Sequence, residues 1–329
     1  MSTPDEGRPA IAAWAETLTC YTAAAGSWLA YDRSNWWRPF AAGGPYLAIE
    51  PVGDRFRFHH HPRPLCHSLG LSLRTAPHWS GAADGILGEL ARSGRVVVAG
   101  DTFSLPWHPG FGRARAPHWF VLSGDPLVAD DPLGLTGELG RQQPVRVPVP
   151  ADGLAGLCAA LPPGSPVYEL RESAVLGTPD PQVGPAYRWL VQDGVVGAPE
   201  LPPADRMGGA DALTALAAHF AQHAGEPDAY EQADDLWQAL RQREFVAKAL
   251  AEERAAGVPV PDPDAWTEVL GLWRTLPPLL LHARLLARSG RVGRSATALP
   301  ETLHRLAEAE ARCAGERFPE ELDTTGGLL

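Results

Sequence analysis

With 329 residues, 45% of them hydrophobic and 20% charged, the chain has ample material for a buried interior, which excludes a disordered protein or a small stapled domain. The formal net charge of −11 argues against a nucleic-acid partner, because such binding rests on clustered basic charge. No apolar run approaches the roughly 20 residues that cross a bilayer, and "MSTPDEGRPAIAAWAE" lacks the basic and apolar regions of a secretory signal, so a cytoplasmic protein with no membrane partner is expected.

In chain order, "CYTAAAGSWLAYDR" (residues 20–33) is Ala-rich with apolar side chains at helical spacing. Thr17 and Thr19 are candidate caps, so Cys20 is predicted in the first turn of a helix. Residues 43–50 and 54–62 read as irregular or short extended segments, 81–93 as a short amphipathic helix, and "GRVVVAGD" (94–101) as a buried strand. After the loop "LPWHPGFGRARAP" come "HWFVLSG" and "PLVADDP", two apolar runs separated by a turn, which predict a hairpin, and then the strand "QPVRVPVP". Beyond residue 151, "DGLAGLCAAL" is helical, "SPVYELRE" short and extended, and "GTPDPQVGPAYRW" loop-like. From Ala210 onward long helical patterns dominate, with Pro263 near one start and Gly257 and Gly290 at stops. The fold class expected is α+β, with a catalytic core at 1–150, a mixed connecting region at 151–205 and a helical region at 206–329.

Four cysteines, Cys20, Cys66, Cys158 and Cys313, lie far apart without a CxxC pair, which fits neither a zinc ribbon nor a disulfide scaffold. A thiol in the first turn of a helix is expected to ionise below the usual value of about 8.5, because the helix N-terminus favours the anion and a nearby imidazolium favours it further. His118 opens one strand of the hairpin and two aspartates end the other. Successive strand residues face opposite sides, so one of Asp130 and Asp131 faces His118. Cysteine, histidine and aspartate then supply nucleophile, base and orienter.

Around this core, Asp101 is expected to cap or brace the following loop, with a supporting role at the site open to it. Arg113 and Arg115 would hold a carboxylate or phosphate, or lie on a solvated loop. Trp107 and Trp119, with Trp36, Trp37 and Trp79, would line an acyl pocket or fill the core. The run His59 to His61 is not expected to hold a metal, since adjacent side chains on an extended segment diverge. Arg284, Arg288, Arg291 and Arg294 would dock an acidic partner or complement a helix dipole.

The stretches "TCYTAAAGSWLAY", "VVVAGDTFSLPWHPGFGRARAPHWFVLSGD" and "VADDP" together resemble the N-terminal domain of the butirosin biosynthesis acyltransferase family, whose fold is papain-like and similar to that of bacteriocin-processing cysteine peptidases. The matching positions are Cys20, Asp101 with Leu105 and Pro106, His118, and Asp131 with Pro132. They lie within residues 15–150, with a weaker echo in the helical half. The resemblance selects Asp131 over Asp130 as orienter. It implies cofactor-independent acyl transfer through a cysteine thioester in natural-product biosynthesis. The acyl group would arrive on the phosphopantetheine of an acyl or peptidyl carrier protein and pass to an amine, a hydroxyl, a nucleophile within the same acyl chain, or water. Papain-like peptidases carry a glutamine a few residues before the cysteine as an oxyanion donor, whereas this chain has "AAWAETLT" there. The Cys20 N–H supplies one donor and the second is unassigned. The alternatives are a non-catalytic papain-like binding module and a leader-trimming cysteine peptidase.

Overall fold

The computed structural model describes residues 10–42, 44–64, 66, 69–150, 152–160, 165–177, 186–193, 205–260 and 266–313. It is a mixed α and β chain in two compact units, one of Met1–Pro39 with Arg63–Pro199 and one of Phe40–Pro62 with Glu200–Leu329. Numbered along the chain, β1 (Ala48–Val52), β2 (Arg55–His59) and β11 (Met207–Gly208) belong to the second unit. The first contains β3 (Leu71–Ala76), β4 (Arg95–Asp101), β5 (Pro117–Ser123), β6 (Val128–Asp131), β7 (Leu135–Gly137), β8 (Gly140–Gln142), β9 (Val145–Pro148) and β10 (Tyr187–Gln192).

In the first unit, six antiparallel strands run in the order β3-β10-β4-β5-β6-β9. The central runs "VVVA" and "WFVL" are buried on both faces, which accounts for apolar residues at consecutive rather than alternating positions. On one face Val96, Val98, Phe120, Leu122 and Ala129 meet Ala82 and Ile86 of the helix Trp79–Ser93. The helix Cys20–Ala30 lies against β5, buried from Tyr21 to Leu29. Thr19 caps it as expected. Its hydroxyl accepts from the Thr22 N–H while the Thr22 hydroxyl accepts from the Thr19 N–H, so two otherwise orphaned donors are satisfied reciprocally. Gly26 allows this close packing, because a Cβ there would lie 2.7 Å from the ring of Trp36.

Of the region 151–205, expected to connect two parts, the described residues between 152 and 193 fall in this first unit. "SPVYELRE" is not extended but begins the helix Pro166–Leu176, since Ser165 caps the Val167 N–H and Pro166 stands in the first turn, where its missing donor costs nothing. The end of "GTPDPQVGPAYRW" enters β10, an aromatic and β-branched run inserted between β3 and β4, while residues 178–185 of that segment lie outside the described residues. Residues 40–62, expected in the core at 1–150, pair as β1 and β2 in the second unit.

The second unit buries Leu213, Phe220, Leu236, Trp273, Leu299 and Leu303 among the helices Gly209–Gln222, Ala233–Ala255, Thr267–Arg288 and Arg294–Cys313. Gly257 (φ 80°) and Gly290 (φ 67°) follow two of these helices in the left-handed conformation, as their positions predict, and Pro263 lies outside the described residues. Among the described residues, no helix is long and apolar enough to cross a membrane.

Candidate active site

The hairpin β5–β6 brings His118 and Asp131 to one face of the sheet. Leu122 opposes Ala129 in the register, and a period of two carries the same face to His118 on one strand and Asp131 on the other. His118 Nε2 lies 2.7 Å from Asp131 Oδ2, both side chains almost wholly buried. The same oxygen accepts from Trp107 Nε1 at 2.8 Å and Gln142 Nε2 at 2.7 Å, and Oδ1 accepts from the Leu133 N–H at 3.2 Å. An ionised carboxylate only accepts, so His118 donates from Nε2 and its Nδ1 is left with the basic lone pair. Asp130 faces the other way, toward Ser27 of the Cys20 helix, at a long 3.5 Å.

Cys20 is the first residue of its helix, and its thiol receives the Tyr21 N–H. The expected lowering of its pKa is not found. The residue retains partial exposure, but the desolvated surroundings of its sulfur push the thiol from 9.0 up to about 12. The Arg171 cation opposes that shift, while the carboxylates of Asp131 and Glu172 add to it. A helix terminus acts over one turn and is outweighed by burial here. Cys66 and Cys158 are pushed to about 12 as well, by burial alone, so Cys20 stands apart in lying within the fields of Arg171, Asp131 and Glu172. Among the described residues no hydrogen bond joins the thiol to His118.

The other expected site residues divide. Trp119 is 1% exposed, its ring tilted against that of Tyr21 and its Nε1 donating to Glu172 at 3.3 Å, so it offers no surface to a substrate. Glu172 in turn holds Arg188 in a buried ion pair. The indole N–H of Trp107 is committed to Asp131 and its ring meets Phe120 edge-on, which makes it a support for the carboxylate. Asp101 braces the loop as expected, accepting from the Phe103 N–H and from Arg115 at 2.9 Å. Arg115 is therefore engaged by Asp101 and lies over Phe103, while Arg113 is exposed on the loop. Arg284, Arg288, Arg291 and Arg294 lie in the second unit, at the end of one helix and the start of the next.

Two residues of the site escape the sequence reading. Gln142, 1% exposed at the end of β8, reaches Asp131 from a short hairpin with no apolar periodicity to announce it. His108 sits in the loop before β5, its ring centroid 4.9 Å from that of His118. Its Nδ1 accepts from the Gly110 N–H at 2.9 Å. Burial, with the neighbouring charge of His118, lowers its pKa to about 4, so the ring is neutral near pH 7. The one available signal was the histidine two residues before a glycine in a Pro- and Gly-rich loop. Among the described residues no group of three or more His, Cys, Asp and Glu side chains is placed to hold a metal ion. In comparisons with known proteins the chain matches no family model and no curated protein.

Proposed function

We propose that the first unit is a papain-like cysteine acyl-transfer centre in which Cys20 accepts an acyl group, His118 moves the proton and Asp131 orients the imidazole. The observation that carries this reading is the buried 2.7 Å pair of His118 Nε2 and Asp131 Oδ2, which leaves Nδ1 as a base of fixed tautomer. A thiol with a pKa of about 12 is ionised in about one molecule in 10⁵ at pH 7, so the nucleophile is made by proton transfer to His118 as substrate binds rather than held as a resting thiolate. The thiolate adds to the carbonyl of an acyl thioester, the donor thiol leaves with the proton from His118, and the acyl group passes to an amine, a hydroxyl, a nucleophile of its own chain or water. The donor is an acyl or peptidyl carrier protein bearing phosphopantetheine, and the reaction needs no other cofactor. An activated thioester suits a site without the upstream glutamine better than an amide does, which ranks transfer above peptide cleavage.

Intact-protein mass spectrometry after incubation with a panel of acyl N-acetylcysteamine thioesters tests this reading. The expected result is a mass increase of one acyl group, absent in Cys20→Ala. No adduct from any thioester overturns it. That outcome favours the second reading, a papain-like binding module. The desolvated thiol, with no hydrogen bond to His118, is the observation on its side.

A further inference from the structure

The loop that carries His108 is held by its own backbone. The N–H of His108 donates to Leu105, that of Phe111 to His108, and those of Arg113 and Ala114 to Gly110, while Thr102 Oγ1 donates to the Ala114 carbonyl at 2.7 Å. The imidazole is held within it, because the Gly110 N–H donates to Nδ1. A Cβ on Gly110 would lie 3.0 Å from Nδ1. With Nδ1 accepting, the proton of the neutral ring sits on Nε2. Among the described residues that N–H meets no acceptor, and the ring stands beside the base of the site.

We infer that His108 is the second oxyanion donor, its Nε2–H receiving the oxygen of the acyl carbonyl as Cys20 adds to it. This inference rests on the acyl-transfer reading above. In the addition, the Cys20 S–H proton passes to His118 Nδ1, the sulfur–carbon bond forms, and the carbonyl π electrons move onto oxygen, where the His108 N–H and the Cys20 backbone N–H donate. In the collapse the C=O bond re-forms, the carbon–sulfur bond to the donor breaks, and the departing thiolate takes the proton from His118. A neutral imidazole donates without losing its proton to the oxyanion, and its tautomer needs no rearrangement as charge develops.

The test compares wild type, His108→Ala, His108→Asn and Gly110→Ala in two assays: acylation by an acyl N-acetylcysteamine thioester, and alkylation of Cys20 by iodoacetamide, which forms no oxyanion. The expected result for His108→Ala is a loss of about 10²–10³-fold in the maximal acylation rate with little change in the thioester concentration for half-saturation. Its alkylation rate and alkylation pH profile should match wild type. His108→Asn, which keeps an N–H donor, should recover part of the loss, and Gly110→Ala should lower acylation while leaving the imidazole in the chain. Acylation of both His108 variants at the wild-type rate overturns the inference alone. So does an equal loss in alkylation, which would make His108 a support for His118. A wild-type chain that no thioester acylates overturns the acyl-transfer reading, and the inference with it.

Discussion

Gln142 Nε2 and Asp131 Oδ2 lie 2.7 Å apart, and this bond, with those from Trp107 and His118, puts three donors on a single carboxylate oxygen in the interior of the first unit. Three elements converge there: the loop before β5, the start of β5 and the end of β8. The convergence fixes the carboxylate, which then fixes the imidazole. Removing Gln142 leaves His118, Trp107 and the Leu133 N–H to hold Asp131. Gln142→Leu is therefore expected to lower stability by about 1–3 kcal/mol, since a buried acceptor loses a partner, and to reduce Cys20 acylation without abolishing it. Urea denaturation and the acylation rate check the two effects. Unchanged stability would show that the bond contributes nothing.

The two adjacent aspartates provide an internal control. Asp131→Asn puts an amide where His118, Trp107 and Gln142 all donate, so the amide N–H₂ and the imidazole compete and His118 loses its enforced tautomer. The expected loss in acylation is about 10³–10⁴-fold, on the scale seen when a triad aspartate becomes asparagine. Asp130 faces the opposite side of the strand, toward Ser27, so Asp130→Asn leaves the carboxylate beside His118 in place and should change the rate by less than about threefold. Equal effects of the two substitutions in thioester acylation would remove Asp131 from its role.

What was legible before the structure, and what was not, follows from the range of the forces concerned. The Thr19 cap, the Cys20 helix and the hairpin from Pro117 to Asp131 are set by neighbours a few residues away, through capping chemistry, turn residues and a period of two. Strand β10 was hidden because its sequence does not say that it inserts between β3 and β4. The Pro166–Leu176 helix is hard to read from sequence because a short apolar segment fits a strand equally well, and Ser165 and Pro166 alone mark its start. The rise in the Cys20 thiol pKa comes from segments distant in sequence, which a local reading of helix position does not see.

Three desolvated thiols, that of Cys20 among them, make the stability of the chain sensitive to base. In the folded protein Cys20, Cys66 and Cys158 are raised to about 12, above the 9.0 of an exposed thiol. Folding thus favours the neutral form, and the stability linked to it is present in full below pH 9 and lost as pH rises from 9 toward 12. Denaturation midpoints should fall between pH 8.5 and 10.5 by more in wild type than in a Cys66→Ala, Cys158→Ala variant. Alkylation of Cys20 should climb about tenfold per pH unit over the same interval without reaching a plateau. A plateau near neutral pH would mean that the thiol is ionised in the folded protein.

On the acid side the sign reverses. His59, His61 and His108 are lowered to about 4 by burial, below the 6.5 of an exposed imidazole, so folding favours their neutral forms. Their contribution is present above pH 6.5 and lost as pH falls through the interval to about 4. His59 and His61 lie in the second unit and His108 in the first. A thermal midpoint followed from pH 7.5 to 4.5 should fall, and His61→Phe, which carries no proton, should flatten the curve for the second unit. His108→Asn should do the same for the first. If the midpoint holds steady to pH 4.5 in wild type, the imidazoles are not desolvated as the structure has them.

Gly26 links the fold to the site through packing alone. It lies on the Cys20 helix where a Cβ would come within 2.7 Å of the Trp36 ring and 2.9 Å of Ile11, both almost wholly buried and neither free to yield. In a solvent-exposed helix interior, Gly→Ala is stabilising by roughly 1 kcal/mol. Here overpacking opposes that gain, and Gly26→Ala is expected to lower stability by about 1–3 kcal/mol. The helix can relieve the clash by shifting along β5, which moves Cys20 relative to His118. Acylation should therefore fall more steeply than the folded fraction at the assay temperature. Stability equal to or above wild type in urea denaturation would show that Trp36 and Ile11 repack around the added methyl at no cost.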